Sequence, residues 1–421
     1  MDVETYIRSI DAAVLARLVQ RATGTATTPA RLGEWSVTPL ARATGGATAG
    51  LFRVSSVNRD EHSSGATSGP AWSLVVKLVR TPSGNVVPGI GLLPAGFGDS
   101  VSDYNYWRRE PLFYGSGLAA QVAALGGGLR PPRTICQSEH AANDAVDVEH
   151  IWLWLEDVPG TLGTVWSPDR YVLAARHFGR FNGAYTEGKG KPIPDHAWLQ
   201  PSRLRSWLER WKARGDLALD APPATWNHPL VREAFPEPVL PRLQRLWDHR
   251  ERFLDALDRL PQVLGHLDGN PGNLFSVPAA DGNEETVAID WSFVGRCAAG
   301  EEMGQLFRRV VSVHADQPGW TARLADPAPL REALLEGYCL GLEDVGCRVD
   351  PALVRFACVI HDALRWGFFV PALRLAQNER QPAPDAQGRA IQERLRQRAA
   401  ITLSQLDLAD EARAQLPSIL S

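Results

Sequence analysis

Between two apolar runs, the stretch Gly265-His266-Leu267-Asp268-Gly269-Asn270-Pro271-Gly272-Asn273-Leu274-Phe275 sets a histidine, an aspartate and an asparagine among turn-forming residues. Further on, the apolar run Val287-Ala288-Ile289 ends in Asp290, followed by Trp291. An acid at the end of such a run is costly unless something pairs with it. Asp268 has the chemistry of a base or orienting group for an attacking hydroxyl, with His266 beside it. Asn273 and Asp290 offer the hard oxygen ligands that Mg²⁺ takes. Phosphoryl transfer needs that set: an oriented nucleophile, and metal ions that neutralise charge on the phosphates. The plainer alternative is a turn, for which Asp-Gly-Asn-Pro-Gly is equally suited.

A fold that used these residues in this way would also need a cation on a strand. Only four of the 44 basic residues are lysines (Lys77, Lys189, Lys191 and Lys212), and the rest are arginine. Lys77 alone interrupts an apolar run, Leu74-Val75-Val76-Lys77-Leu78-Val79. It is either the phosphate-facing ammonium or a residue snorkelling from a half-exposed strand. Its partner is expected on the next helix, where Glu110 is the best placed acid, unless that residue is an ordinary surface glutamate. The small-residue stretch Ala43 to Gly50 lies between the first two strands. Thr44, Gly45 and Gly46 in it would let backbone N–H groups approach phosphate oxygens, although hairpin turns are often glycine-rich too. Backbone groups from Glu156 to Val158 could meet an adenine edge, while the Glu156 and Asp157 side chains read as capping or solvated.

Composition excludes several classes. At 421 residues two domains are the default. A net charge of −4 argues against a nucleic-acid partner, which would want a basic face. Met1-Asp2-Val3-Glu4 lacks the basic start of a signal peptide, and no apolar run is long enough to span a membrane. The five cysteines are scattered and never spaced C-x-x-C, so they read as reduced thiols in a cytoplasmic protein. No Walker-type phosphate loop occurs, and Gly89, Gly91 and Gly96 have the wrong spacing for a dinucleotide fingerprint.

Apolar steps of three and four residues predict one amphipathic helix over residues 3–22. Strands are expected over Trp35 to Ala43, Leu51 to Val57, Trp72 to Val79, Arg133 to Ser138 and Val148 to Leu155. A helix is expected from Tyr104 to Leu118. Arg59 to Pro70 reads as an exposed hairpin loop, and Gln381 to Pro384 as a surface loop. After Asp169 nearly everything reads as helix, with short strands only at Asn273 to Val277 and Thr286 to Asp290. A strand-rich first third before a helical remainder implies an α+β architecture in two lobes, with a break at residues 156–160.

His266-Leu267-Asp268 with Asn273, and Ile289-Asp290-Trp291, resemble the catalytic loop and metal strand of the aminoglycoside phosphotransferase and choline kinase family. These are small-molecule kinases with the protein-kinase-like fold. The stretch Arg176 to Gly183 is similar to the helix just past the hinge in such enzymes. The resemblance implies a strand-rich nucleotide-binding lobe over residues 1–155 and a helical lobe over residues 156–421 with the catalytic loop and acceptor site. It implies that Asp268 is the catalytic aspartate and that Lys77 and Glu110 form the nucleotide-positioning pair. Asn273 and Asp290 would bind magnesium, and ATP or GTP would be the donor. The acceptor would be a hydroxyl of an antibiotic, amino sugar or polyol, handled by a monomer or homodimer. A choline or ethanolamine kinase is the nearer alternative, and a catalytically silent nucleotide- or partner-binding protein the alternative of another class. Leu267 stands where the family has glycine, and Gly269-Asn270 where it has a hydrophobic-His pair. Gly300-Glu301-Glu302-Met303-Gly304-Gln305-Leu306 departs from the usual G-D-P-x-x-D-L. Between Gly300 and Asp350 acids outnumber bases nine to five, which leans toward a cationic or polyhydroxyl acceptor. The tryptophans between Asn182 and Leu264 read mainly as core.

Overall fold

Period-2 alternation in Ser73-Leu-Val-Val-Lys-Leu-Val79 organises the first part of the computed structural model. Leu74, Val76 and Leu78 are buried on one face of the strand, and Lys77 stands on the other. The structure describes residues 3–41, 46–57, 71–87, 91–140, 150–188, 190–215, 217–235, 238–279, 282–315, 317, 320–324, 326–370, 373 and 386–421. Thr44, Gly45, Lys189, Gly89, the loop from Arg59 to Pro70 and the patch from Gln381 to Pro384 lie outside them.

In chain order the first strands are β1 (Trp35–Ala41), β2 (Thr48–Ser56), β3 (Ser73–Val79), β4 (Val86–Val87), β5 (Gly91–Leu92), β6 (Leu129–Arg130), β7 (Thr134–His140) and β8 (His150–Glu156). They are followed by β9 (Thr161–Leu162), β10 (Gln262–Gly265), β11 (Leu274–Pro278), β12 (Glu284–Ala288) and β13 (Gly295–Ala298). The first helices are α1 (Val3–Arg8), α2 (Ala12–Thr23), α3 (Arg109–Gly115), α4 (Leu118–Ala123), α5 (Pro168–Ala184) and α6 (Arg203–Arg214). Next come α7 (Pro223–Trp226), α8 (Pro229–Ala234), α9 (Val239–Asp248), α10 (Arg250–Arg259), α11 (Glu301–His314) and α12 (Thr321–Leu324). Last are α13 (Ala328–Asp344), α14 (Pro351–Trp366), α15 (Ala386–Arg413) and α16 (Leu416–Leu420).

The chain separates into two compact units. One comprises Met1–Val165, Asp195–Leu199 and Gly272–Val294, and the other Trp166–Pro194, Gln200–Pro271 and Gly295–Ser421. The first unit is built on a five-stranded sheet in the order β1-β2-β3-β8-β7, antiparallel throughout. One face of this sheet is covered by the N-terminal helices: Ile7, Leu15, Leu18 and Val19 pack with Val54, Leu74, Val76, Leu78, Trp152 and Trp154. A second sheet of the same unit runs β6-β12-β11-β9.

In the second unit the central packing is α5 against α13, which is close because both helices carry glycines at the crossing. A Cβ on Gly341 would come within 2.0 Å of the Arg176 carbonyl oxygen, and one on Gly179 within 2.1 Å of that of Tyr338. The short antiparallel pair β10–β13 also belongs to this unit.

The α+β class expected from the sequence is the observed one, with corrections to its elements. The single helix over residues 3–22 is two helices, because Asp11 accepts the Ala13 and Val14 N–H groups and starts α2 afresh. The helix expected from Tyr104 starts only at Arg109; before it the Asp103 carbonyl accepts the Tyr106 N–H in a single turn, and the Tyr104 carbonyl accepts from the Arg109 guanidinium. In the region read as nearly all helix, β10 and β13 are additional strands. All five cysteines are free thiols. Among the described residues no helix is long and apolar enough to cross a membrane.

Candidate active site

In the first unit the Lys77 ammonium meets two acids. Its Nζ donates to Glu110 Oε2 at 2.6 Å and to Asp290 Oδ1 at 3.1 Å. The strand pleat aims Lys77 away from the helix-covered core, and α3 presents Glu110 to it from the other face. Glu110 is only 3% exposed, whereas the Asp290 side chain is 36% exposed. Burial alone would lower the Lys77 pKa, but the carboxylates of Asp290 and Glu110 raise it above its ordinary range. The lysine is therefore charged at neutral pH, and the buried Glu110 has its cation.

Asp290 adopts a left-handed backbone with φ 62°, a conformation that aspartate tolerates better than most residues. It follows β12, whose partner β11 begins at Leu274 opposite Ala288. The Asn273 carbonyl accepts the Ile289 N–H at 2.9 Å, so Asn273 and Asp290 stand at the same end of this hairpin. Trp291 stacks on Phe113 of α3 with centroids 4.3 Å apart and an interplanar angle of 7°. That stack ties the Glu110 helix to the Asp290 loop.

Arg109, which the sequence did not single out, reinforces the tie. It is fully buried, and its guanidinium donates to the carbonyls of Trp198, Tyr104, Ser292 and Asp103 at 2.8 to 3.1 Å. Gly46 is the described member of the phosphate-loop candidates. Its carbonyl accepts from Asn85 Nδ2 at 3.1 Å, and a Cβ there would lie 3.0 Å from Leu93 and from Pro82. The Glu156 N–H donates to the Arg133 carbonyl, and the Val158 carbonyl accepts from Gly160, both at 2.9 Å. The side chains that the sequence read as capping or solvated are ion-paired instead. Glu156 accepts from Arg130 at 2.8 Å and Asp157 from Arg53 at 2.7 Å.

In the second unit β10 delivers His266 and Asp268 on a braced loop. His266 is fully buried, and its Nδ1 accepts the Asp268 N–H at 3.1 Å, which puts the neutral ring's proton on Nε2. Leu267 between them has φ 62°, the left-handed region in which the resembling family has glycine. Its N–H donates to Glu302 Oε1 at 2.8 Å. Glu302 Oε2 accepts from Asn182 Nδ2, and Asn182 Oδ1 from the Tyr338 hydroxyl, each at 2.8 Å. The close α5–α13 crossing brings Asn182 and Tyr338 together. The Glu302 of Gly300–Leu306 is thus a loop brace. Burial pushes its carboxyl up to about 7, against the pull of the Leu267 N–H and Asn182. Glu301 is raised to about 7 for the same reason and accepts the Ala298 N–H at 2.7 Å. The Asp268 carboxylate accepts from Arg203 Nη2 at 3.2 Å and Gln305 Nε2 at 3.4 Å. Arg203 was not legible in the sequence, because it lies tens of residues away with no motif of its own, and Gln305 entered it only within the Gly300–Leu306 departure.

Among the described residues no group of three or more His, Cys, Asp and Glu could hold a metal ion. The available donors, Asn273 and the part-exposed Asp290, suit a hard cation that keeps water and phosphate oxygens as its remaining ligands.

No protein-family model matches the chain, and no curated protein matches its sequence significantly. Solved structures do resemble it. A choline kinase from Cryptosporidium parvum superposes with a TM-score of 0.50 over 98% of this chain and 100% of its own, at 13% identity. An amicoumacin kinase gives 0.48 over 95% and 96% at 15% identity. An aminoglycoside phosphotransferase from Alicyclobacillus acidocaldarius gives 0.46 over 90% and 92% at 12% identity. The first of these likenesses, spanning nearly the whole chain, shows that this chain has the protein-kinase-like fold of choline kinase.

Proposed function

We propose that this protein is a Mg²⁺-dependent phosphotransferase that moves the γ-phosphoryl of a nucleoside triphosphate to a hydroxyl of a small molecule. The observation that carries the reading is the Lys77 ammonium on a strand, held at 2.6 Å by the buried Glu110 and at 3.1 Å by Asp290. A surface lysine needs no such partners, and a purely structural ion pair needs no second, part-exposed acid.

Lys77 then meets the α- and β-phosphates as a compact point charge, and Glu110 fixes where it points. Asn273 and Asp290 would hold magnesium, which when bound would supply charge neutralisation at the phosphates. Asp268 receives or orients the acceptor hydroxyl's proton, and His266 holds the Asp268 backbone through Nδ1. Gly46, with Thr44 and Gly45, covers the phosphates, and the Glu156–Val158 backbone flanks the base. Residues 1–155 contribute chiefly to nucleotide binding and residues 156–421 to the acceptor. Choline or ethanolamine as acceptor is the second reading, favoured by the choline kinase likeness.

The test is a coupled phosphotransfer screen over hydroxylated antibiotics, amino sugars and choline analogues, run with the Asp268→Ala variant alongside. Turnover should fall about 10²- to 10⁴-fold in the variant, with Mg-nucleotide affinity kept. Near-wild-type turnover in Asp268→Ala contradicts the assignment. Absence of any Mg-nucleotide hydrolysis or transfer would favour a silent binding protein.

A further inference from the structure

The surroundings of Asp268 carry information about the acceptor that the sequence could not. Two of the residues touching its carboxylate begin helical faces leading away from it. Gln305 lies on α11, with Arg308 and Arg309 three and four positions on, and Arg203 lies on α6, with Trp207 four positions on. Residues at that spacing share one side of a helix, about one turn or ~6 Å along.

Both faces reach the same cluster. The Arg365 guanidinium lies 3.9 Å over Trp207 and 4.4 Å over Trp366, while Arg309 lies 5.8 Å over Trp366. Phe369 packs edge-on to Trp207 at 5.1 Å. Beside this cluster is a cavity of about 260 Å³ lined by Arg308, Arg309, Trp366, Phe369, Arg398 and Gln405 among others, with no acid among the described lining residues.

Its charge is one-sided. Arg308 is neutralised by a bidentate pair to Asp362, both contacts 2.7 Å. Among the described residues neither Arg309 nor Arg398 has a carboxylate partner, and Trp366 Nε1 is buried without an acceptor. The acid excess between Gly300 and Asp350 does not offset this. Glu301 and Glu302 are buried and taken by the backbone N–H groups of Ala298 and Leu267. An ammonium ligand would face like charge here. A quaternary-ammonium cage is also ruled out at these rings, since the protein's own guanidiniums occupy the faces of Trp207 and Trp366.

Resting on the phosphotransferase reading, we infer that the cavity bounded by Arg309, Trp366, Phe369 and Arg398 receives the acceptor's distal end, and that the acceptor is a flat or aromatic alcohol bearing a carboxylate. Guanidinium groups bind carboxylates through paired, charge-assisted hydrogen bonds, and the indole and phenyl rings take the flat body. The volume lies below the common range of about 300–1,000 Å³ for drug-sized ligands. It fits a single-ring head better than a multi-ring amino sugar.

The test uses the full chain and three matched probes: 4-(hydroxymethyl)benzoate, its neutral benzamide and the corresponding benzylamine. Binding is followed by calorimetry and transfer by a coupled assay with Mg-ATP. The carboxylate should bind at least about tenfold more tightly than the ammonium probe. Arg309→Gln and Arg398→Gln should each reduce that preference, and the pair should erase it. Arg398→Lys, which keeps the charge, should retain part of it. Stabilisation of each variant by Mg-ATP certifies its fold. Equal or tighter binding of the ammonium probe overturns the inference, as does no binding of the carboxylate at millimolar concentration or a preference that survives the double substitution. Mg-ATP stabilisation without a carboxylate preference defeats this inference alone. Carboxylate binding by a chain that neither binds nor turns over Mg-ATP defeats the phosphotransferase reading instead.

Discussion

The Lys77 cluster and the Asp268 loop solve one problem in opposite ways. Each holds a carboxylate next to a backbone strained into the left-handed region, at φ 62° in both cases. Such a conformation costs about 1–2 kcal/mol for a residue other than glycine and persists only where neighbours over-determine it. In the first unit the strained residue is the acid itself, Asp290, held by a cation that a buried glutamate shares. In the second it is Leu267, beside the acid, and the brace is Glu302 on its N–H. In the first cluster two acids share one cation. Asp268 is instead held from outside by Arg203 and Gln305, whose helices lead to a cavity where, among the described residues, Arg309 and Arg398 have no carboxylate partner. The contrast fits a division of labour in which one region grips a constant ligand and the other is shaped for a particular acceptor.

That contrast can be broken most sharply at Lys77. Lys77→Met leaves Glu110 buried beside a second acid, and unfolding free energy should drop by roughly 3–5 kcal/mol. Lys77→Met with Glu110→Gln should recover part of that loss. Asp268→Asn, at a carboxylate 18% exposed, should cost clearly less than Lys77→Met in the same urea titrations. Equal losses at the two sites would erase the distinction. Next in size, Gly341→Ala forces α5 and α13 apart against the Arg176 carbonyl. It should cost roughly 1–3 kcal/mol and lower turnover through Asn182 and Glu302, with Mg-ATP binding much less affected.

The smallest expected effect is one of pH. Folding raises Glu302 from an ordinary 4.5 to about 7, so between those values the folded chain holds a proton that the unfolded chain has lost. Its contribution to stability therefore declines as pH rises from 4.5 to 7 and is level above that. His177, lowered to about 3 by burial and by Arg170, Arg180 and Arg176, acts in the other direction. Its contribution is present above pH 6.5 and is lost as pH falls toward 3. Melting temperatures from pH 4.5 to 8 should show Glu302→Gln gaining on the wild type as pH rises. His177→Gln should gain on it as pH falls. Parallel curves would contradict both assignments.

What the sequence disclosed follows from where each partner lies. His266, Asp268 and Asn273 fall within a single turn-forming stretch, and Lys77 is conspicuous as a charge in an apolar strand. Glu110 could be named only by asking what Lys77 would need. Arg109 was invisible because its guanidinium donates to backbone carbonyls, which carry no residue signature. The link from Asp268 to Arg203 spans most of a helical insertion that has no motif. At the level of elements, the alternating strands were legible, whereas β13, only Gly295-Arg-Cys-Ala298, has too little β-branched character to stand out. The break at Ser9 to Asp11 was masked by an apolar period that continues across it, although Asp11 carried the capping signal.

The division of labour is tested most directly by measuring how far Mg-ATP raises the melting temperature of Asp268→Asn and of Asp290→Asn, with phosphotransfer measured on the same samples. The account predicts that Asp268→Asn keeps the wild-type shift while losing about 10²- to 10⁴-fold in turnover, and that Asp290→Asn loses the shift. An unchanged shift in Asp290→Asn, or a lost one in Asp268→Asn, would contradict it.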